Sequence, residues 1–237
     1  MAAGTDLQGK VAVVTGGAGG IGRALGRRFA QEGMKMLLAD VLAEPLDAAT
    51  RELKSAGFEV AGLVTDVTDY SSVEALANEA LQQFGAVHVV FNNPGTGGVS
   101  EGYLWEHDLA DWRWGIDVNV LGVIHDIKAF VPILLEQGEG HVVNTCSGNG
   151  GFAPIARGAM GGPANAVYPM TKAAVLCLTE VYNFDLRALA ALADRIGPTP
   201  QDLGQDDAVS VPKWEAPRQT GRHWLTGADP LPDLVQS

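Results

Sequence analysis

The stretch "VAVVTGGAGGIG", residues 11 to 22, constrains the fold more than any other part of the chain. Its first five residues form a short, β-branched apolar run, which is typical of a strand buried on both faces. The five glycines that follow allow a tight turn and a close approach of backbone to a ligand. Ile21, Leu25 and Phe29 then recur at helical spacing. A strand, a glycine loop and a helix in this order predict the first βα unit of a parallel sheet.

Strand-like and helix-like segments alternate along the chain up to about residue 190. Strands are predicted at 34–40, within 59–67, at 86–93 and at 141–146, and helices at about 43–56, at 73–84, at about 109–136 and around 168–172. Ser71 and Glu74 have capping-box spacing at the start of the third helix. The alternation predicts an α/β fold with a doubly wound, Rossmann-type parallel sheet. A single domain is expected over 1–237, with an atypical C-terminal part at 190–237.

Composition and charge argue against several classes of protein. The 237 residues are 46% hydrophobic and 19% charged, as in a globular domain, and the formal net charge is -12. Nucleic acid and anionic membrane surfaces need a basic face, so neither partner is expected. The N-terminus lacks a signal-peptide pattern, and no run approaches the roughly 18 apolar residues of a membrane helix. Because Cys146 and Cys177 also lack a paired spacing, a cytoplasmic protein is expected.

The glycine loop matches GxGxxG, TGxxGxxG and TGxxxGxG at once. A helix N-terminus behind such a loop offers free N–H groups and a positive dipole end to a pyrophosphate, although a ligand-free glycine turn is the other interpretation. Asp40 ends the second predicted strand, where a carboxylate accepts hydrogen bonds from an adenosine ribose and repels a 2′-phosphate. Its alternative role is an N-cap for the next helix. Arg23 is a nearby cation that would offset this repulsion if it faced the ribose.

Tyr168 and Lys172 lie four residues apart in "AVYPMTKAAV", residues 166 to 175. Residues i and i+4 share one face of a helix. A free phenol has a pKa near 10 and is a poor base at neutral pH, but a nearby cation favours its ionised form. The pair therefore indicates a general acid and base. The alternative is a packed tyrosine beside a solvated lysine.

The motifs, taken in order, resemble those of the short-chain dehydrogenase/reductase family, in its single-domain branch. The resemblance covers residues 7 to about 190 and rests on "TGGAGGIG" (15–22), "LLAD" (37–40), "TDV" (65–67), "NNPG" (92–95), "DVNVLG" (117–122), "VNTCS" (143–147) and "YPMTK" (168–172). It selects the TGxxxGxG spacing and implies NAD as the cofactor. The cofactor-binding residues that it implies are Gly16, Gly20, Ile21, Gly22, Asp40, Asp66, Val67, Asn93, Tyr168 and Lys172.

The resemblance also implies individual catalytic roles. Tyr168 matches the general acid/base, and Lys172 matches its partner, which also holds the nicotinamide ribose. Ser147 matches the hydroxyl that binds the substrate oxygen. Asn119 matches the helix asparagine that anchors a water linked to Lys172. Asp66 matches the residue near the adenine amino group, and the first asparagine of "NNPG" matches one that supports the sheet. Taken singly, each of these side chains also fits a purely structural role.

These expectations describe an oxidoreductase that transfers a hydride between NAD(H) and an apolar secondary alcohol or ketone, with Tyr168 as general acid and base. A homo-oligomer, dimer or tetramer, is implied by the family. The alternative is a catalytically weak or inactive dinucleotide-binding protein of the same fold with a regulatory role. No metal site is expected, because the five histidines form no HExxH or HxxxH pair. No hydrolase triad is expected either, because Ser147 lacks a GxSxG elbow.

Three departures from the family pattern concern the substrate side. Pro94 in "NNPG" replaces the usual alanine, which removes an N–H group and fixes φ. The segment between Ser147 and Tyr168 is longer than usual, and its glycine-rich, mostly apolar part at 151–166 favours an apolar substrate. After residue 190 the usual Pro-Gly strand is missing, with "AVSVP" (208–212) as the later candidate and "GRHWLTGADP" (221–230) resembling the family's last strand. A shortened lid or an absent segment is therefore expected there.

Overall fold

The computed structural model describes residues 7–97, 103–148 and 166–196, the last of these as backbone only beyond residue 183. The chain divides into two compact units, Met1–Asn183 and Phe184–Ser237. The first unit contains the sheet, and the second is described only over 184–196. The expectation of a single domain over 1–237 stays a prediction. The expectations for 151–165, for "AVSVP" and for "GRHWLTGADP" lie outside the described residues.

The described elements alternate between strand and helix, as predicted. The strands are β1 (Val11–Thr15), β2 (Lys35–Asp40), β3 (Val60–Val64), β4 (Val89–Asn92) and β5 (His141–Asn144). The helices are α1 (Gly20–Gln31), α2 (Ala43–Ser55), α3 (Tyr70–Phe84), α4 (Leu109–Ile116), α5 (Gly122–Gln137) and α6 (Val167–Ile196). A 3₁₀ turn at Leu104–Glu106 precedes α4, and a π-helical turn at Asp117–Leu121 joins α4 to α5.

The five strands form one parallel sheet in the order β3-β2-β1-β4-β5. Val13 at the centre of β1 lies opposite Leu37 of β2 and Val90 of β4. The chain moves outward from β1 to β3 and then returns to the other side of β1. Strand order therefore reverses between β1 and β4, and the carboxyl ends of these two strands border a crevice. The predicted doubly wound, Rossmann-type fold is confirmed.

Helices cover both faces of the sheet, which explains why its central strands are apolar on both faces. On one face, Val14 and Leu38 share a buried cluster with Leu46 of α2. On the other face, Val13 packs in a second cluster with Phe130 of α5. Side-chain alternation along β1 places neighbouring valines in different clusters. Two continuous cores therefore fix the sheet and the loops at its carboxyl edge.

Helix α3 begins earlier than the sequence pattern predicted. Asp69 is its N-cap, and its carboxylate accepts hydrogen bonds from the backbone N–H of Ser71 at 2.9 Å and from the Ser71 hydroxyl at 2.8 Å. The predicted Ser71–Glu74 capping box is therefore wrong. An aspartate two residues before Ser71 satisfies the free N–H groups of the first turn instead.

The run predicted as one helix over 109–136 is divided by the π-helical turn. The N–H group of Gly122 bonds to the carbonyl of Asp117, five residues earlier. The run Leu109–Gln137 is long enough to span a membrane and contains an 18-residue window with a mean hydropathy of 1.7, contrary to the expectation that no segment came near this. Its side chains Phe130 and Leu134 are nevertheless buried against the sheet. A core helix of an α/β domain has the same composition, so hydropathy alone does not separate the two.

Candidate active site

A cavity of about 1100 Å³ lies at the carboxyl edge of the sheet, beside the ends of β1 and β4. Its walls come from the glycine loop, the end of β2, residues 65–68 after β3, residues 93–97 after β4, the α4–α5 junction and the start of α6. Of the residues predicted to bind a cofactor, the lining includes Gly16, Gly20, Ile21, Asp40, Asp66, Val67, Asn93, Tyr168 and Lys172. Segments that are distant in sequence therefore meet at one site.

The glycine loop combines tightly packed and open positions. A Cβ atom on Gly16, whose φ is +65°, would lie 2.7 Å from the Asn93 carbonyl oxygen. A Cβ atom on Gly22 would lie 2.0 Å from the Gly16 carbonyl oxygen, which only a hydrogen atom avoids. Gly19 and Gly20 differ, because a Cβ atom on either would meet nothing within 4 Å. Gly22 thus lies behind the loop, while Gly19 and Gly20 present bare backbone to the cavity.

The N-terminus of α1 is suited to an anion. Gly19 is its N-cap and makes no side-chain cap hydrogen bond, and the first turn holds no acidic residue. The N–H groups of that turn therefore remain available, and the helix dipole adds partial positive charge. A pyrophosphate fits this place both by charge and by the open space beside Gly19 and Gly20.

Asp40 lies at the end of β2, on the cavity wall. Its carboxylate accepts hydrogen bonds from the backbone N–H groups of Ala18 at 3.1 Å and of Leu42 at 3.0 Å. Leu42, not Asp40, is the N-cap of α2, so the helix-cap interpretation is wrong. These two bonds fix the carboxylate between the glycine loop and the start of α2.

Arg23 is committed to an ion pair on the outside of the helices. Its guanidinium group pairs with Glu52 of α2, and Arg27 lies 3.3 Å from the same carboxylate. The hydrogen bond from Arg23 holds the pKa of Glu52 below its usual value. Since Arg23 is also not among the cavity-lining residues, the structure places no compensating charge from it beside Asp40.

Asp66 and Val67 form the wall after β3. One oxygen of Asp66 accepts hydrogen bonds from the backbone N–H of Thr68 at 2.9 Å and from its hydroxyl at 2.8 Å. Val67 packs against Gly122, where an added Cβ atom would lie 2.8 Å from the Val67 Cγ2 atom. The glycine of "DVNVLG" therefore lets the start of α5 approach this wall.

Asn119 lies in the π-helical turn and is fully buried. Its side-chain oxygen accepts from the Thr96 N–H at 2.8 Å, and its amide donates to the Thr96 carbonyl at 3.0 Å and to the Thr171 hydroxyl at 2.9 Å. Both amide hydrogens are therefore used in fastening the loop after β4 to α6. Those two hydrogens therefore do not bind the water that Asn119 was predicted to anchor for Lys172.

Lys172 projects from α6 into the cavity wall and is only 3% exposed. Its ammonium group donates to the Thr145 carbonyl at 2.8 Å and lies 6.0 Å from the centroid of the Tyr168 ring. Burial lowers the pKa of Lys172, and the nearby Cys146 partly offsets this. An added Cβ atom on Gly95 would lie 3.5 Å from the ammonium nitrogen. Tyr168 and Lys172 thus lie on one side of α6, as the spacing predicted, and the loop after β4 lies beside them.

Ser147 lies three residues beyond the end of β5 and is partly buried. It is not among the described residues that line the cavity, and residues 149–165, which follow it, lie outside the described part of the chain. Its role as the hydroxyl that binds the substrate oxygen stays a prediction.

The unusual Pro94 is buried, and hydrogen bonds of the residues on either side of it hold its loop in place. On one side, Asn93 donates its backbone N–H to the Thr15 hydroxyl at 3.3 Å and its amide to the Gly16 carbonyl at 3.4 Å. On the other side, Thr96 is fixed by Asn119. The loop therefore keeps its attachments although proline has no N–H to give.

Asn92 ties the sheet together, in the manner expected for the first asparagine of "NNPG". Its amide donates to the Asn144 side-chain oxygen at 2.8 Å, which links β4 to β5. Asn144 in turn donates to the Thr179 hydroxyl at 2.9 Å, which links β5 to α6. This chain of polar contacts holds α6, and with it Tyr168, against the sheet.

Sequence reasoning did not identify three threonines that organise the site. Thr15, Thr145 and Thr171 each receive or donate hydrogen bonds that hold a predicted site residue. Each stands inside one of the quoted motifs, within two residues of a predicted site residue, namely Gly16, Ser147 or Lys172. Their position beside predicted site residues was the signal that could have identified them. The sequence does not show, however, whether a neighbouring side chain points toward the site. Trp114 of α4, also unpredicted, lines the cavity as well.

Residues 10–198 match the sequence model of the short chain dehydrogenase family. The chain belongs to this family. Within the described residues, no group of three or more His, Cys, Asp or Glu side chains lies close enough to hold a metal ion. The cavity, the glycine loop and the Tyr168–Lys172 pair are therefore features of a short-chain dehydrogenase, a member of a family of oxidoreductases.

Several known proteins are similar to this short-chain dehydrogenase. The 1-deoxy-11-beta-hydroxypentalenate dehydrogenase of Streptomyces exfoliatus is 34% identical over 97% of this chain and 79% of its own length. A crystal structure of a short-chain dehydrogenase/reductase from Burkholderia phymatum in complex with NAD is 43% identical, with a TM-score of 0.71 over 78% of this chain and 63% of that one. A structure of NAD⁺-bound xylitol dehydrogenase is 32% identical, with a TM-score of 0.69 over 78% of this chain and 67% of that one. This chain thus spans less than two thirds of the Burkholderia neighbour.

Proposed function

We propose that this short-chain dehydrogenase transfers a hydride between NAD(H) and a secondary alcohol or ketone, with Tyr168 as general acid and base. The observation that carries the proposal is the shared cavity. The glycine loop, Asp40, Tyr168 and Lys172 come from β1, β2 and α6, yet all line it. A site that combined only a nucleotide cradle with packed side chains would not need a buried lysine beside a tyrosine at its wall.

The residues present fit a dinucleotide. Gly19 and Gly20 leave open space at the N-terminus of α1, where a pyrophosphate would bind. Asp40 would accept hydrogen bonds from the adenosine ribose, and Asp66 and Val67 would border the adenine. Two similar structures hold NAD, which supports this cofactor for the chain.

The preference for NAD over NADP rests on two observed carboxylates. Asp40 stands on the cavity wall, where a 2′-phosphate would meet like charge. Glu52 holds Arg23 in an ion pair, so the cation that the sequence offered as a partner for a 2′-phosphate is already engaged. We therefore expect the ribose of NAD to be preferred.

NAD, when bound, supplies the hydride acceptor and a positive charge on its nicotinamide ring. The ionised Tyr168 oxygen would take the proton from the substrate hydroxyl during oxidation, and the neutral Tyr168 hydroxyl would give a proton to the carbonyl oxygen during reduction. Lys172 would hold the cofactor ribose and stabilise the ionised phenol. Ser147 would donate a hydrogen bond to the substrate oxygen, where charge changes during the reaction. An apolar substrate, a homo-oligomer and a cytoplasmic location all stay predictions.

The test is turnover with a panel of secondary alcohols that differ in size and polarity, each offered with NAD and with NADP. NADH formation is followed by absorbance, and binding of each cofactor is measured separately. We expect NAD to bind and at least one apolar secondary alcohol to be oxidised, with Tyr168→Phe inactive on the same substrate. NAD binding without turnover on any alcohol, or on the matching ketones with NADH, would support the regulatory alternative.

A further inference from the structure

Asp126 is a buried carboxyl group to which the proposed chemistry gives no task. It lies on α5 and is 0% exposed. One of its oxygens lies 2.9 Å from the Thr15 hydroxyl at the end of β1, and the other has no hydrogen-bond partner among the described residues. An unpaired buried carboxylate is strongly disfavoured, so this group needs either a cation or a proton.

No cation reaches Asp126 in the described part of the chain. On its own helix, His125 bonds to a backbone carbonyl before α3, and Lys128 lies over the Tyr70 ring, 4.4 Å from its centroid. Lys172 of α6 donates to a backbone carbonyl after β5. Burial raises the pKa of Asp126 to about 7 and the Thr15 hydrogen bond lowers it, with no contribution from a charge on α3, β4 or β5.

The hydrogen-bond inventory of Thr15 agrees with a neutral carboxyl group. The hydroxyl lies 3.3 Å from the Asn93 backbone N–H, which only donates, and 3.3 Å from the Phe91 carbonyl, which only accepts. A hydroxyl has one hydrogen and two lone pairs. If Asp126 is ionised, it competes with the Phe91 carbonyl for that one hydrogen. If Asp126 is protonated, it donates to Thr15, and all three contacts are satisfied together.

Thr15 connects this buried group to the cavity through Asn93. The side chain of Asn93 donates to the Gly16 carbonyl at 3.4 Å and accepts from the Thr145 hydroxyl at 2.9 Å. The Thr145 carbonyl in turn receives the Lys172 ammonium group. A change in the orientation of the Thr15 hydroxyl therefore acts on the residue that joins the glycine loop to the Lys172 side.

We propose that Asp126 is a positioning residue for the nucleotide cavity, whose neutral carboxyl group orients the Thr15 hydroxyl and so fixes Asn93 against the glycine loop. This inference rests on the proposed use of NAD. NAD bound against a fixed Asn93 favours the protonated carboxyl group. Affinity for NAD therefore falls as Asp126 loses its proton, between about pH 6 and about pH 8.5.

Two substitutions separate this role from simple packing. Asp126→Asn keeps the shape and offers an N–H donor to Thr15 but has no titrating group. Asp126→Leu removes the donor. The dissociation constant for NAD is measured calorimetrically at about pH 6 and about pH 8.5. We expect wild type to weaken about fivefold, the equivalent of one hydrogen bond of roughly 1 kcal/mol. The Asn variant stays at the low-pH value of wild type at both pH values, and the Leu variant is weaker at both.

A second measurement tests the proton without NAD. The folded pKa exceeds the ordinary aspartate value near 3.9, so the folded state holds a proton that the unfolded state releases. The unfolding free energy of wild type relative to Asp126→Asn therefore falls as pH rises from about 4 to about 7 and levels off above that. This profile also serves if the Leu variant does not fold.

The outcomes distinguish this inference from the proposed function. If the NAD dissociation constant changes by the same factor between the two pH values in wild type and in Asp126→Asn, the positioning role alone is overturned. A stability difference that does not change with pH overturns the neutral carboxyl group. No NAD binding by wild type at either pH overturns the proposed function, and this inference with it.

Discussion

The two sides of the cavity are built in different ways. The glycine-loop side is shaped by backbone, since Gly16 and Gly22 pack where no side chain fits, whereas Gly19 and Gly20 line the cavity with open space beside them. The Lys172 side is shaped by buried side chains, with Asn119 joined to two elements at once. On the glycine-loop side, whether a substitution is tolerated depends on whether a methyl group can replace one glycine hydrogen. On the Lys172 side, it depends on hydrogen bonds whose partners are far apart in the sequence.

The largest expected effect lies on the side-chain side and concerns the reaction alone. Tyr168→Phe removes the proposed general acid/base, which is worth about 10²–10⁴-fold in kcat. The dissociation constant for NAD should change little, because the variant keeps the ring and Lys172. Steady-state kinetics and calorimetry measure the two quantities. Tyr182→Phe removes a hydroxyl from the same helix and should leave kcat within about twofold. A kcat for Tyr168→Phe close to wild type would remove Tyr168 from the mechanism.

The backbone side is tested by two glycines of the same loop. Gly22→Ala places a methyl group 2.0 Å from the Gly16 carbonyl oxygen, and such overpacking should lower the unfolding free energy by about 3 kcal/mol. Gly19→Ala adds its methyl group to open space on an extended backbone with φ of -150°, so the free protein should keep its stability.

NAD affinity should distinguish the same two variants in the reverse order, with the larger loss of affinity in Gly19→Ala. The Gly19 methyl group would occupy the space proposed for the pyrophosphate, so Gly19→Ala should bind NAD at least tenfold more weakly while folding normally. Denaturant unfolding and calorimetry provide the data. Equal loss of stability in both variants would contradict the division of the loop into packed and open positions.

Cofactor choice should depend on Asp40. Hydrogen bonds to a charged group contribute roughly 1.5–3 kcal/mol, which is about tenfold or more in affinity. Wild type should therefore prefer NAD over NADP by at least tenfold in kcat/KM, and Asp40→Ala should lose most of that preference through weaker use of NAD. Asp47→Ala, which removes an exposed carboxylate of α2, is the control and should leave the ratio unchanged. A ratio that survives in Asp40→Ala would rule out this assignment.

The smallest effect is expected from the hydrogen bond between α6 and the π-helical turn. Thr171→Val keeps the side-chain shape but leaves an amide hydrogen of Asn119 buried without a partner, which should lower the unfolding free energy by about 1–2 kcal/mol. Thr171→Ser keeps the hydroxyl and should recover most of the loss. Urea unfolding of both variants is the measurement. Similar stabilities for the Val and Ser variants would show that the hydroxyl contributes little.

The difference between the two sides also explains what the sequence could predict. The fold followed from local signals, because apolar strands, helical stripes and a glycine loop each occupy a few consecutive residues. The glycine loop and Asp40 were predictable for the same reason. The contacts of Asn119 with Thr171 and of Thr15 with Asn93 span 52 and 78 residues, so only the packed fold brings them together. Asp126 carried no motif at all, and its burial depends on the face that α5 turns toward β1.

The π-helical turn at Asp117–Leu121 sets the phase of the helical run that contains it. Each residue advances an α-helix by about 100°, so one extra residue in a turn rotates everything after it by that angle relative to what comes before. Trp114, before the turn, borders the cavity, whereas Phe130, after it, is buried against the sheet. The extra residue of the π-helical turn therefore sets the angle between the face of α4 that borders the cavity and the face of α5 that packs against the sheet. Deleting a single residue in 117–121 would shift one surface out of alignment with the other, a larger disturbance than most substitutions on either face.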